Sequence, residues 1–354
     1  MNLIVFAILL IILAFICSLL VCPWAYHFAL KKQVVVNEKN YNYPIPLLGS
    51  IAVAIGIMVP TLIYLVIEPH TPLIGILPYI VIMLILGITD DVKNLSPILR
   101  FCIELLVVGI YALVQYKIDN FHGLWHIDVI PIWISVPLSL IAGVGIINSI
   151  NLIDGVDGYS SGFGIITCLI FGLLFIYCEE KVFAIFQFIV ASSLLPFYFY
   201  NVMGKKKIYI GDGGTLMLGA IMSSSVFYLL SSASPCASNI PQDMNIIAFC
   251  LAVLCIPIFD TLRVMFSRIY RGQSPFEGDT THLHHLFLNR GYSHIQTSFS
   301  LITLNTLIVG IWWISYILGA SLDLQLYIVI AAGLLFTFGL SMLLRYMICK
   351  YKNK

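Results

Sequence analysis

The chain has 354 residues, 60% of them hydrophobic and only 10% charged, with a formal net charge of +1. A soluble domain carries roughly a quarter charged residues, so this composition excludes a water-soluble enzyme and predicts an all-α polytopic membrane bundle. With no basic stripe outside the loops, nothing here suits a nucleic-acid partner.

About twenty apolar residues cross a bilayer. Eleven such runs follow one another at about 3–26, 45–67, 73–89, 97–116, 128–148, 161–178, 182–200, 208–231, 244–267, 297–317 and 322–347. No polar stretch is long enough for a separate soluble domain, so 1–354 reads as a single unit. The first run has no basic segment before it and no small-residue cleavage site, and reads as a retained helix. The nine cysteines are scattered through apolar runs without a CxxC pair, which implies neither a disulfide framework nor a zinc site.

Orientation follows from lysine and arginine. Eleven spans place sixteen basic residues on one side, from Lys31, Lys32 and Lys39 through Lys205 to Lys354, and only Lys117 and Lys181 on the other. The basic side is therefore expected to be cytoplasmic, with the N-terminus outside and the C-terminus inside. The patterned acids fall on that same side, in loops at about 27–44, 90–96, 149–160, 201–212 and 268–296. The outer loops hold only dispersed acids such as Glu68, Asp119, Glu179, Glu180 and Asp243.

In order, the first cluster is Asp90–Asp91, closing the run LILGITDD. Adjacent carboxylates at a helix end call for a nearby positive partner, either a divalent cation or Lys93 and Arg100. Arg100 and Glu104, four apart, read as an ordinary helical ion pair. In NSINLIDGVDG, Asp154 and Asp157 are three apart and share a face if the segment is helical. Asn151 adds an amide, and Gly155 and Gly158 allow close backbone approach. The alternative there is an Asx-rich turn capping the next helix. IGDGGTLMLG places Gly211, Gly213 and Gly214 around Asp212 at a helix start. It is similar to a phosphate-cradling turn without the P-loop lysine, with Asp212 a hard oxygen ligand suited to magnesium, or else an N-terminal cap. Tyr209 can stack on a base or mark the membrane interface. Asp260 and Arg263 are three apart in IPIFDTLR, near the inner end of their span, and Glu277 and Asp279 follow. The polar stretch 268–296 then carries THLHHLFLNRG with His282, His284, His285 and Arg290, whose surroundings suit a pyrophosphate better than zinc. Carboxylates, glycine turns and cations at one membrane face imply phosphoryl chemistry on a lipid.

GITDDVKNLSP, NSINLIDGVDG, KIYIGDGGTLMLG and PIFDTLRVMFSRIYRGQSPFEGDTTHLHHLF together resemble the polyprenyl-phosphate N-acetylhexosamine-1-phosphate transferases, over about residues 37–291. The form SPF…D…HLHH is similar to the branch that transfers GlcNAc-1-phosphate. It lacks the HHHFE form of the phospho-MurNAc-pentapeptide transferases, which are the alternative within the family. The chain departs from the family at Glu38, Tyr41, Leu47, Ser50 and Thr280, and in the spacing of Asn201. The resemblance implies a UDP-sugar donor, a polyprenyl phosphate acceptor, UMP as product and magnesium as cofactor, with manganese as its substitute. It also implies a plasma-membrane enzyme with a cytoplasmic site, as monomer or homodimer. It implies Asp90, Asp91, His282, His284 and His285 as catalytic residues. Asp212, Asn151 and Asp91 would serve the metal. Asn151, Asp154, Asp157, Asn201, Tyr209 and Arg290 would serve the nucleotide and diphosphate. A transporter or channel, the rival class, calls for mid-membrane charges and repeated halves, and the sequence has neither.

Overall fold

The computed structural model describes residues 3–36, 44–204, 206–274 and 280–352. Glu38, Lys39, Tyr41, Lys205, Glu277, Asp279 and Lys354, all used in the sequence reading, lie outside them. The chain is a bundle of helices joined by short connections: α1 (Leu3–Lys31), α2 (Gly49–Ile67), α3 (Leu73–Lys93), α4 (Pro97–Val114), α5 (Ile132–Leu152), α6 (Tyr159–Tyr177) and α7 (Lys181–Val202). There follow α8 (Gly211–Leu229), α9 (Ile246–Val253), α10 (Cys255–Tyr270), α11 (Leu283–Asn289), α12 (His294–Ile317), α13 (Leu322–Leu334) and α14 (Leu340–Lys352). A π-helical turn, Leu335–Gly339, joins the last two. The strand pairing among the described residues is slight: β1 (Val35–Val36) pairs antiparallel with β2 (Ile45–Pro46), Val35 opposite Pro46, and Asn120 bridges Val129.

Nine helices among the described residues are long and apolar enough to cross a membrane, or ten if the bent pair α9–α10 is one span. The predicted span outside that count, 208–231, is α8, whose Asp212, glycines and run Ser223–Ser225 make it less apolar. Its surroundings explain the composition. Every residue of α8 is buried except Asp212, and it packs against α3, α5, α2 and α6. A helix enclosed by other helices is selected for close approach rather than for apolarity toward lipid. A Cβ on Gly219 would lie 2.6 Å from the Ile147 backbone of α5, and one on Gly87 of α3 would lie 2.3 Å from the Asp212 carbonyl.

The predicted span 244–267 is broken: α9 and α10 meet at 75°. A break inside a bilayer frees backbone groups that must be satisfied by protein. Asn305 of α12 does this. Its Oδ1 accepts the Ile256 N–H at 2.9 Å and its Nδ2 donates to the Val253 carbonyl at 2.8 Å. The break aims α10 so that Asp260 reaches α11.

Candidate functional site

Side chains from one end of the bundle meet in a connected network. On α3, Asp91 points its carboxylate at the first turn of α8, where Oδ1 accepts the Asp212 N–H at 2.9 Å and Oδ2 the Gly213 N–H at 3.0 Å. These amides have no partner within the helix, and an anion is favoured there by the helix dipole. Gly211 enters α8 with φ +69°, and a Cβ on it would lie 2.5 Å from Asp91 Oδ2. The phosphate-cradling reading of IGDGG is therefore corrected. The anion on those amides is the chain's own Asp91, and the glycines serve the turn and the α3–α8 contact.

Arg100 of α4 sits among the acids. Its Nη1 is 3.1 Å from Asp90 Oδ2 and 3.5 Å from Asp212 Oδ2, and its Nε donates to Glu104 at 2.9 Å. The expected helical pair exists, but the same guanidinium also bridges two clusters that are distant in sequence. Glu104, fully buried, accepts in addition from Asn148 Nδ2 of α5 at 2.5 Å. Asp90 spends its other oxygen on the Leu95 N–H at 2.8 Å, which holds the turn after α3. One helical turn beyond Asn148, Asn151 donates to Asp212 Oδ1 at 2.5 Å and to Thr215 Oγ1 at 2.8 Å. Asp212 thus lies between an amide and a cation, its side chain 35% exposed against 10% for Asp90 and 0% for Glu104.

The segment 153–158 is a turn, not a helix, and ends at Gly158 with φ +73°. Asp154 and Asp157 therefore gain no shared face from helical spacing, but the turn itself sets both on one polar cleft. Asp154 accepts from Ser160 Oγ, and burial pushes its carboxyl up to about 8 even against that bond. Asp157 instead pairs with Lys207 and with His294, whose Nδ1 is 3.3 Å from its Oδ2. His294, at the start of α12, was not singled out from sequence. A lone histidine opening an apolar run carries no pattern that distinguishes it. Asn201 is buried and spent on backbone, with Oδ1 accepting the Gly158 N–H at 2.6 Å and Nδ2 donating to the Ile208 carbonyl at 3.0 Å. It fixes the turn rather than presenting its amide. Asp154, Asp157, Asn201 and Tyr209 line a small polar cleft, and Lys207 Nζ lies 5.7 Å from the Tyr209 ring centroid.

The histidines ride on α11, and Asp260 of α10 anchors its start. Asp260 Oδ2 accepts the Leu283 N–H at 3.0 Å and faces His282 Nδ1 at 3.0 Å. Oδ1 accepts from Arg263 at 2.6 and 3.0 Å, and Arg263 also donates to the Thr281 carbonyl at 2.6 Å. His282 stacks on His284 with ring centroids 5.7 Å apart, and His285 lies tilted against His284 at 4.1 Å. His284 is buried, and that burial, with His285 and His282 beside it, pulls its imidazole down to about 3, so it is neutral. The ring lies against the DGVDG turn: a Cβ on Gly155 would come within 2.4 Å of His284 Nε2. Arg290 closes α11, half-buried.

One end of the bundle therefore brings together Asp90, Asp91, Arg100, Asn151 and Asp212, and next to them the turn of Asp154 and Asp157 with the histidines. Among the described residues no three His, Cys, Asp or Glu side chains are grouped as a metal site. The groups near Asp212 able to ligate a cation, its own carboxylate, that of Asp91 and the Thr215 hydroxyl, are oxygens, which fits a hard cation held by one or two carboxylates and completed by ligand oxygens and water. It does not fit zinc, because no cysteine is near and His282 is turned to Asp260.

The family model described as glycosyl transferase family 4 matches residues 73–231, from the start of α3 to just past α8. A Bacillus subtilis (strain 168) protein described as a probable undecaprenyl-phosphate N-acetylglucosaminyl 1-phosphate transferase is 31% identical over 296 residues, covering 80% of this chain and 79% of that protein. Undecaprenyl-phosphate alpha-N-acetylglucosaminyl 1-phosphate transferases of Escherichia coli (strain K12) and Yersinia pestis are 28% and 27% identical, over 77% and 79% of the chain and 74% and 77% of their own lengths.

Proposed function

Because this chain belongs to glycosyl transferase family 4, we propose that it transfers GlcNAc-1-phosphate from a UDP-sugar to undecaprenyl phosphate, giving undecaprenyl-diphospho-GlcNAc and UMP. The observation that carries the reading is the convergence of Asp90, Asp91, Asp212 and Arg100 beside the α11 histidines at one end of a membrane bundle. In the reaction an oxygen of the lipid phosphate forms a bond to the sugar-bearing phosphorus. The bond from that phosphorus to the bridging oxygen breaks, and its electron pair leaves with UMP. No carbon–oxygen bond changes. Such transfers depend mainly on positioning and charge neutralisation.

Asp212 would hold magnesium, with Asp91 and Asn151 at its side. When bound, the ion supplies positive charge against the diphosphate oxygens. Arg100 holds Asp90 and Asp212 in register and keeps a fixed cation beside the reacting phosphates. The cleft of Asp154, Asp157 and Tyr209 suits the nucleoside, and His282, His285 and Arg290 suit the diphosphate. Both Asp91 oxygens already accept backbone bonds and Asp90 is ion-paired. This supports direct attack by the lipid phosphate over a covalent aspartyl intermediate. Purified protein given polyprenyl phosphate, magnesium and a panel of UDP-sugars should release UMP most rapidly with UDP-GlcNAc. Activity should vanish on removal of divalent ions and return with magnesium or manganese but not zinc. No release with any UDP-sugar overturns the function, and rescue by zinc alone overturns the metal.

The site is proposed to face the cytoplasm across the plasma membrane, with eleven crossings. Helix parity supports that number. Asn201, ending α7, bonds to Gly158, and Asp212, starting α8, bonds to Asn151. His294, starting α12, reaches Asp157. The chain therefore leaves this end along α8 and returns along α9–α10. Single cysteines replacing the exposed Ser96, Lys206 and Ser293 should resist an impermeant thiol reagent in intact cells, while those replacing Asp128 and Gln242 should react. The background lacks Cys17, Cys102 and Cys349, the native thiols that are not buried. Labelling of Ser293→Cys in intact cells overturns the sidedness.

A further inference from the structure

At the opposite end of the bundle from the acids, two thiols meet. Cys178 closes α6, and Cys236 lies in the short turn Pro235–Ser238 between α8 and α9. Both are fully buried, and each thiol is near enough to act on the other. The backbone around them is clamped. Asn239 Nδ2 donates to the Cys178 carbonyl at 2.9 Å, the Tyr228 hydroxyl donates to Glu180 at 2.8 Å, and Glu179 turns the chain between α6 and α7 at φ +63°. A disulfide needs neighbouring backbones, and Asn239 supplies them, its side chain on the Cys178 carbonyl and its own N–H on the Cys236 carbonyl at 3.0 Å.

We propose that Cys178 and Cys236 form a disulfide that pins the α6–α7 turn to the α8–α9 connection. This rests on the sidedness proposed above, because it is the outer compartment that sustains protein disulfides. In the step, a Cys178 thiolate attacks an oxidised thiol oxidoreductase disulfide and releases one of its thiols. The Cys236 thiolate then displaces the second, so an Sγ–Sγ bond forms as the oxidant's own breaks and two protons are lost. Full burial places this exchange during insertion and folding rather than afterwards. Cys250 of α9, also buried, is a near neighbour of Cys236 and is the thiol a mispaired bond would use.

The test is peptide mapping of wild-type protein from cells quenched in acid and alkylated under denaturing, non-reducing conditions. The expected result is a peptide pair linked through Cys178 and Cys236, lighter by two hydrogens than the reduced pair and separated by reductant. In Cys236→Ser, Cys178 should become alkylated, the melting temperature should fall by a few degrees, and UMP release should be unchanged. Alkylation of both cysteines in the unreduced wild type, or a link from Cys236 to Cys250, overturns the proposal. Labelling at Asp128→Cys and Gln242→Cys reports separately on which compartment this end faces. UMP release reports separately on the transferase reading.

Discussion

Asp212→Asn is expected to lower UMP release by about three orders of magnitude or more, the scale of losing a charge that is used in the transition state. The substitution keeps the side-chain volume, and an amide oxygen still accepts the bond from Asn151 Nδ2 that Asp212 Oδ1 takes at 2.5 Å. It removes the negative charge that faces Arg100 at 3.5 Å and turns an NH2 toward that guanidinium. The side chain is 35% exposed, so the fold loses little and the melting temperature should stay within about a degree. Purified variant and parent are compared for UMP release and for thermal melting. Near-parental turnover in saturating magnesium would falsify Asp212 as the metal's ligand. A large drop in melting temperature would make the lost activity a folding effect.

Asp260→Ala is expected to lower both turnover and stability. One carboxylate here accepts from Arg263, caps the first amide of α11 and faces His282 Nδ1. Arg263 has a side chain only 4% exposed. Removing one partner of a buried pair costs about 3–5 kcal/mol, so melting should fall by several degrees. Turnover should fall about 100-fold, because α11 then lacks the contact that positions it. Asp260→Asn separates the two effects. It retains an acceptor for the Leu283 N–H but no charge for Arg263, so it should recover part of the turnover and less of the stability. Wild-type kinetics in Asp260→Ala would show that α11 holds its place without the anchor and would remove the positioning role.

What the sequence disclosed was whatever leaves a periodic or compositional trace. The apolar runs marked the helices, and the alternation of short loops carried Asp90, Asp91, Asp154, Asp157, Asp212 and the histidines to one end. Features set by contact between distant segments left no such trace. That Asp91 caps α8, 121 positions away, depends on α3 and α8 lying side by side, and IGDGG alone reads equally well as an anion cradle. Arg100 and Glu104 read as a local pair because i,i+4 spacing says nothing of a third partner. Asp154 and Asp157 do look onto one cleft, but through a turn rather than through the helical period that their spacing suggested. The break between α9 and α10 was hidden because a bent apolar run and a straight one have the same composition, and the residue that splints it, Asn305, lies far along the chain.

The contact of Gly155 with His284 sets a schedule for the ribosome. The two residues are 129 positions apart in the chain, and at roughly 5–20 residues per second the turn waits on the order of ten seconds for its partner to be made. During that interval the polar turn stands at the membrane edge with α6 and α7 already built and nothing over Gly155. A nascent chain halted before α11 is a membrane-inserted protein holding the acids of α3 and α8 without the imidazoles. The last third of translation, not the insertion of the first helices, is when this end of the molecule becomes whole.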